Sequence, residues 1–348
     1  MTLSPGKFRG LSRLADRHGR FKMLAVDQRP PIEGPVKAVR GGDIAPWADV
    51  AGFKRMLVEE LQGQASAALL DPHYAYPAAI RQVDPRNGLI MTLEHSVFEE
   101  TPGGRLSTNI SVWSVEKIKR AGGDAVKVLA WYRPDAGAAV ISHQQDYVKR
   151  IGADCARFDI PFVFELLVYP LAHDAEQTKD YVEMRAKRAD HVLASIETFA
   201  APDYGVDLFK LESPVAAADV PGVGNPGWEE TQELFDEMDR LSGVPWVMLS
   251  AGAGMAEFRK VLTHALKAGA SGYLAGRAIW AEAFKAFPDW DDIRRRLKSE
   301  AVPYMQDLNR LTDDHAKSWM NRKVYGEGGA GIAHPDASFR EHYPGFGG

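Results

Sequence analysis

The chain has 348 residues, 45% hydrophobic and 26% charged, an ordinary globular composition with ample length for a large core. Its formal net charge of −5 provides no global basic field for nucleic acid, and no apolar run reaches the roughly 18 residues of a membrane helix. The opening MTLSPGKFRGLSRLADRHGR lacks the apolar core of a signal peptide, and Asp16 with an early Pro-Gly argues against a transit peptide. A single cysteine, Cys155, excludes an internal disulfide and fits a reducing cytosol, so a cytoplasmic location is expected. Cys155 falls in the helical stretch YVKRIGADCARFDI, where a small packed residue is its simplest role.

In chain order, a helix is predicted over Phe8–His18, placed to plug the bottom of whatever follows. Eight short apolar, β-branched runs come next: Lys22–Val26, Ala67–Leu70, Leu89–Leu93, Ala125–Ala130, Phe162–Val168, Val206–Leu211, Trp246–Leu249 and Gly272–Leu274. Stretches of helical period separate most of them, over Ala51–Gln62, Val115–Ala121, Gln144–Phe158, Ala175–Phe199, Trp228–Leu241 and Ala256–Ala268. Apolar strands alternating with amphipathic helices indicate a parallel sheet covered on both faces. Eight such units match a single (β/α)8 TIM barrel better than an open sheet. The first βα turn has no Gly-x-Gly-x-x-Gly, which weakens a dinucleotide-binding alternative. Beyond the barrel, at about residues 20–290, an amphipathic pair is predicted over Asp289–Asn321. A Gly-rich, irregular tail follows, Tyr325 to Gly348, free to cover a neighbour. One domain spanning 1–348, with a C-terminal helical extension at about 291–348, is the economical reading.

Active sites of such barrels lie at the carboxyl ends of the strands. Strand 1 ends in Asp27-Gln28-Arg29, strand 2 in Asp71-Pro72-His73 and strand 3 in Glu94-His95; strand 4 carries Lys127, strand 5 Glu165, and strand 6 Lys210. Alternation puts Leu208, Lys210 and Glu212 on one face of the sixth run. A lysine among apolar neighbours either snorkels or pairs with a carboxylate, or, desolvated, serves as an amine nucleophile toward a ketone. Lys127 and Glu165 also sit within apolar runs, where a charge is costly unless paired or functional. Together the three make either a structural ion-pair network or a nucleophile with its acid/base partner. The loops after strands 7 and 8, Ser250-Ala251-Gly252-Ala253-Gly254 and Gly276-Arg277, are the recurrent phosphate site of this fold. The competing chemistry is a divalent metal on Asp71, His73, Glu94 and His95, though no motif spacing supports it.

The strand ends LAVDQR, ALLDP, VKVLAWY, FELLVYP, FKLESP, LSAGAG and GYLAGRAIW, in this order, resemble the class I tagatose-1,6-bisphosphate aldolase family, which also contains sulfofructose-1-phosphate aldolases. The resemblance runs from about Phe8 to Trp280. It implies that Lys210 is the Schiff-base lysine, Glu165 the acid/base and Lys127 the lysine beside the imine. Asp27 and Gln28 would line the substrate, and Ser250, Gly252, Gly276 and Arg277 would hold one anionic end of the sugar. It further implies a cofactor-independent, metal-free enzyme that forms a homo-oligomer and acts on a small ketose phosphate. Two segments depart from the family pattern. PPIEGPVKAVRGGDIAPW after Arg29 is long and is expected to form a lid, and the tail after about Ala301 is unfamiliar.

The expected activity is cleavage of tagatose 1,6-bisphosphate to dihydroxyacetone phosphate and glyceraldehyde 3-phosphate. The alternatives are cleavage of sulfofructose 1-phosphate to dihydroxyacetone phosphate and sulfolactaldehyde, a metal-dependent isomerase or epimerase, and a non-catalytic sugar-phosphate sensor.

Overall fold

The computed structural model describes residues 1–174 and 184–345. Ten strands form among the described residues: β1 (Phe21–Ala25), β2 (Ala67–Leu70), β3 (Gly88–Thr92), β4 (Glu99–Thr101), β5 (Gly104–Leu106), β6 (Ala125–Trp131), β7 (Phe162–Leu167), β8 (Leu208–Leu211), β9 (Trp246–Met248) and β10 (Gly272–Ala275). Eight of them close a parallel barrel in the order β1-β10-β9-β8-β7-β6-β3-β2, and each of the eight predicted runs supplies one. β4 and β5 form a small antiparallel hairpin after β3 that the hydrophobic pattern does not signal, because its strands are short and largely polar.

Period-two alternation sorts the barrel residues into an outer and an inner set. Phe162, Phe164 and Leu166 of β7 and Phe209 and Leu211 of β8 belong to the large core between barrel and helices. Val163, Leu208, Ala125, Val247, Leu69 and Leu274 point the other way and fill the lower barrel. Leu129, Trp131, Leu167 and Leu249 form an apolar rim at the opposite end. Between these two apolar layers, β6, β7 and β8 place Lys127, Glu165 and Lys210. Glu165 is in register with Lys210 on one side and Leu129 on the other. At the rim the hairpin sets the Arg105 guanidinium over the rings of Phe98, Trp131 and Tyr169, at 4.2, 4.8 and 4.9 Å.

The predicted plug helix forms over Pro5–Leu14, with Leu11 and Leu14 buried against the lower barrel layer. Lys7 on this helix pairs with buried Asp207 at 2.8 Å, and Asp159 accepts hydrogen bonds from the backbone N–H groups of Gly6 and Lys7. The helix after β6 is longer than predicted, Ala138–Arg157, and the one after β7 spans Ala189–Phe199. Residues 175–183 of the predicted helix Ala175–Phe199 lie outside the described residues. Cys155 is fully buried, and burial pushes its thiol up, consistent with a packing role.

Both unfamiliar segments fold onto the body of the protein. The first eleven residues of the insertion form a helix, Pro30–Arg40, with Ile32 and Val36 buried, where a lid was expected. Gly41, at φ +71°, ends it in the left-handed conformation that suits glycine. The C-terminal extension runs as helix Trp290–Arg296, a π turn Leu297–Ala301 and helix Val302–His315. It lays Leu297, Ala301, Met305 and Leu308 into the outer core, and Arg294 pairs with Glu59 and Glu60 of the helix Trp47–Leu61. The stretch after it packs on the base of the chain's own barrel as far as Ala333. Trp319 is wholly buried against Phe8 and Tyr325, and Leu3 and Ala333 extend backbone bonds between the two chain ends. Among the described residues no helix is long and apolar enough to cross a membrane.

Because Trp319 seals the barrel base far from the charged layer, Trp319→Ala should cost about 3–5 kcal/mol of stability in a urea titration. A loss below about 1 kcal/mol would show that the tail merely lies on the surface.

Candidate active site

Lys127 is the hub of the charged layer. Its Nζ lies 3.0 Å from Asp27 Oδ2, 2.6 Å from Glu94 Oε1 and 2.8 Å from Glu165 Oε2. Glu165 Oε2 also accepts a hydrogen bond from Lys210 Nζ at 2.8 Å, so one carboxylate oxygen bridges two ammonium groups. Thr92, the last residue of β3, donates from its hydroxyl to Asp27 Oδ2 at 3.2 Å. All five charged groups are more than nine-tenths buried. Burial at this depth is tolerable only because every ammonium meets a carboxylate.

The carboxyls respond differently. Burial would raise Asp27, but the ammonium groups of Lys127 and Lys210 outweigh it and hold the group well below its ordinary 3.8. Burial also pushes Glu165 up, and the same two lysines bring it below its ordinary 4.5. At Glu94 burial wins over Lys127 and Arg29, and the carboxyl is raised. Two carboxyls on one lysine with their affinities for a proton pushed apart is an arrangement suited to acid–base work.

A pocket opens over this cluster at the carboxyl ends of the strands. Asp27, Gln28, Lys127, Glu165, Lys210, Ser250, Gly276 and Arg277, all singled out from sequence, line it together. Gly252 does not; at φ +86° it lies behind Arg277, where a Cβ would come within 3.0 Å of Arg277 Nη1. Gly276 is equally constrained, since a Cβ there would fall 2.6 Å from the Ala25 carbonyl and 2.8 Å from Gln28 Nε2. Helices Met255–Ala268 and Arg277–Phe284 begin directly after these loops, and no side chain caps either N-terminus. Small residues, two helix starts and Arg277 together form a cradle with the charge and dipole direction an oxyanion needs.

Arg29 and Glu94 join the pocket although neither counted among the expected sugar-site residues. Glu94 was a candidate metal ligand; its inward alternation with Thr92 was the signal that it faces the barrel axis. The other three candidate ligands lie elsewhere. Asp71 forms a fully buried ion pair with Lys54 and accepts hydrogen bonds from the N–H groups of His73 and Tyr74. His95 bonds through Nδ1 to the backbone of Val97. No three such side chains among the described residues are arranged to hold a metal ion.

The sign of the coupling predicts the acid behaviour. Asp27 and Glu165 have folded-state values below their ordinary ones. Their contribution is therefore complete above about pH 4–5 and is lost as pH falls through the lower folded values. Glu94, raised, acts in the opposite sense and favours the fold as it gains a proton. Lys127→Met removes the cation that holds Asp27 and Glu165 down. The acid limb of a pH-dependent unfolding curve should then move to higher pH, with about 3–5 kcal/mol lost at neutral pH. An acid limb that stays in place would mean that Lys127 does not control these carboxylates.

The DeoC/LacD family aldolase model matches residues 21–282, the whole barrel. A tagatose 1,6-diphosphate aldolase of Listeria monocytogenes is 34% identical over 328 residues, covering 92% of this chain and 95% of that protein. Tagatose 1,6-diphosphate aldolase 2 of Enterococcus faecalis is 31% identical over 94% of this chain and 100% of its own length. Among solved structures, fructose-bisphosphate aldolase from Plasmodium falciparum superposes with a TM-score of 0.65 at 12% identity, over 91% of this chain and 98% of that one. An archaeal fructose 1,6-bisphosphate aldolase superposes at 0.54 with 19% identity, over 87% and 97%. At such identities the structures speak for the barrel alone, while the family match and the sequence relatives speak for the chemistry class. The chain belongs to the DeoC/LacD family of aldolases.

Proposed function

We propose that this aldolase works through a Schiff base on Lys210 and cleaves tagatose 1,6-bisphosphate to dihydroxyacetone phosphate and glyceraldehyde 3-phosphate. The observation that carries the reading is the single oxygen Glu165 Oε2, 2.8 Å from both Lys210 Nζ and Lys127 Nζ in a buried pocket. The names of the relatives in Listeria and Enterococcus support the choice of sugar. The cradle of Ser250, Gly276 and Arg277 takes the C1 phosphate, with Gly252 giving Arg277 room, and this sets C2 over Lys210. Asp27 and Gln28 line the sugar beside it.

Lys210, relieved of a proton by Glu165, adds through Nζ to the C2 carbonyl. Glu165 returns that proton to the carbinolamine hydroxyl, which departs as water and leaves an iminium with Glu165 again ionised. Glu165 then takes the C4 hydroxyl proton, the C3–C4 bonding pair flows into the iminium, and glyceraldehyde 3-phosphate departs. The enamine left on Lys210 is protonated at C3, and hydrolysis releases dihydroxyacetone phosphate and the free lysine. Lys127 keeps Glu165 ionised and oriented between steps. The electron sink is the iminium itself, so these steps call on no metal or cofactor.

The same cleavage on sulfofructose 1-phosphate would release sulfolactaldehyde, a sulfonate standing where the distal phosphate stands. We also read residues 1–348 as one domain, and the protein as a cytoplasmic homo-oligomer; its one cysteine, buried and unpaired, fits a reducing compartment.

Borohydride with tagatose 1,6-bisphosphate should attach a reduced dihydroxyacetone phosphate adduct to Lys210, located by peptide mass spectrometry, and Lys210→Met should abolish both adduct and turnover. Glu165→Gln should lower kcat by about 10²–10⁴-fold. Activity lost with EDTA and restored by a divalent ion, with no adduct, would replace this mechanism by metal-dependent isomerisation.

A further inference from the structure

The wall of the pocket formed by β1 and β3 holds polar atoms that the chemistry at Lys210 leaves unused. Arg29 is only 4% exposed, and its Nη2 donates to the Glu94 backbone carbonyl at 3.1 Å. Its Nε and Nη1 are buried with no hydrogen-bond partner among the described residues. Glu94, 2% exposed, spends Oε1 on Lys127, while its Oε2 is likewise buried without a partner. Arg29 Nη2 and Glu94 Oε1 lie 4.0 Å apart. A buried guanidinium and carboxyl with open valences cost free energy unless something polar meets them.

Their place in the barrel says which part of a ligand that is. In the closed order β3, which leads into Glu94, stands directly across from β9, whose following loop supplies Ser250 of the C1-phosphate cradle; Arg29 follows β1, beside β10, and its guanidinium reaches the β3 end through its bond to the Glu94 carbonyl. A ketose held by that cradle and bonded at C2 to Lys210 extends its remaining carbons toward the far wall. Four cationic side chains, Arg29, Lys127, Lys210 and Arg277, face three carboxyls across the pocket. This excess of positive charge suits a substrate carrying an oxyanion at each end.

We infer that Arg29 and Glu94 form the subsite for the aldehyde half of the ketose, Arg29 binding its terminal oxyanion and Glu94 one of its hydroxyls. The inference rests on the Schiff-base reading above. It adds two residues that decide which aldehyde is released and taken up. Phosphate and sulfonate present the same tetrahedral oxyanion to a guanidinium.

The test runs the reaction toward condensation, with dihydroxyacetone phosphate as donor and glyceraldehyde 3-phosphate, sulfolactaldehyde or unphosphorylated glyceraldehyde as acceptor. For Arg29→Gln, kcat/KM should fall roughly 30-fold or more with an acceptor that carries the oxyanion, and less than about 3-fold with glyceraldehyde. Whichever oxyanion acceptor suffers the larger loss is the one the subsite is built for. Glu94→Gln, nearly isosteric, should lower kcat/KM with glyceraldehyde and glyceraldehyde 3-phosphate alike, because both carry the hydroxyl. Borohydride trapping of dihydroxyacetone phosphate by Arg29→Gln should match wild type, which a merely structural role would not allow. Equal losses on charged and uncharged acceptors in Arg29→Gln, or none on either, would overturn the assignment. Failure of the wild-type protein to trap dihydroxyacetone phosphate is a separate result, and would remove the Schiff-base reading together with the subsite built on it.

Discussion

Everything at the centre of this barrel depends on one constraint: five charged groups are buried together, and each must be paired. Lys127 meets three carboxylates and Glu165 meets two lysines. Such a network contributes little net stability, since its Coulombic gain is offset by desolvation. What it does is hold Lys210 and Glu165 in one geometry, in a site where water does not screen them. Removing Lys127 takes from Asp27 the ammonium it meets, and removing Glu165 takes from Lys210 the carboxylate it meets.

The apolar layers above and below make that possible. Val163, Leu208, Val247 and Leu274 beneath the charges, backed by the N-terminal helix and Trp319, keep water from entering through the base. Leu129, Leu167 and Leu249 above them, with Arg105 clasped among Phe98, Trp131 and Tyr169, narrow the mouth. Both chain ends are spent on the lower seal, where Leu3 pairs with Ile332 and Lys7 neutralises Asp207. Lys54 and Asp71 repeat the same logic between helix and barrel. Lys54 donates to the Val26 carbonyl, fixing the backbone just before Asp27.

Much of this was legible in the chain before it was folded. The inward set of Lys127, Glu165 and Lys210 follows from period-two alternation, which is local and needs no knowledge of neighbours. The small residues at Gly252 and Gly276 were visible for the same reason, as turns directly after strands. The β4–β5 hairpin was not visible, because three-residue polar strands carry no hydrophobic period. The insertion after Arg29 was expected as a lid, and its helix was not legible because Pro30, Pro31, Gly34 and Pro35 mask a segment whose buried apolar anchors are Ile32 and Val36.

Amino-acid order by itself determined the eight-fold βα alternation, the side of the barrel on which chemistry occurs and the three charged residues at its heart. All of these are set within single elements by backbone geometry. Tertiary structure alone decided which strand ends meet: Glu94 with Lys127 and Arg29 rather than with Asp71 and His95, and Asp71 with Lys54. It also decided that the stretch from Trp319 to Ala333 packs on the base of the barrel. These choices depend on barrel closure and on the need of each buried charge for a counter-charge, and both are settled by residues far apart along the chain.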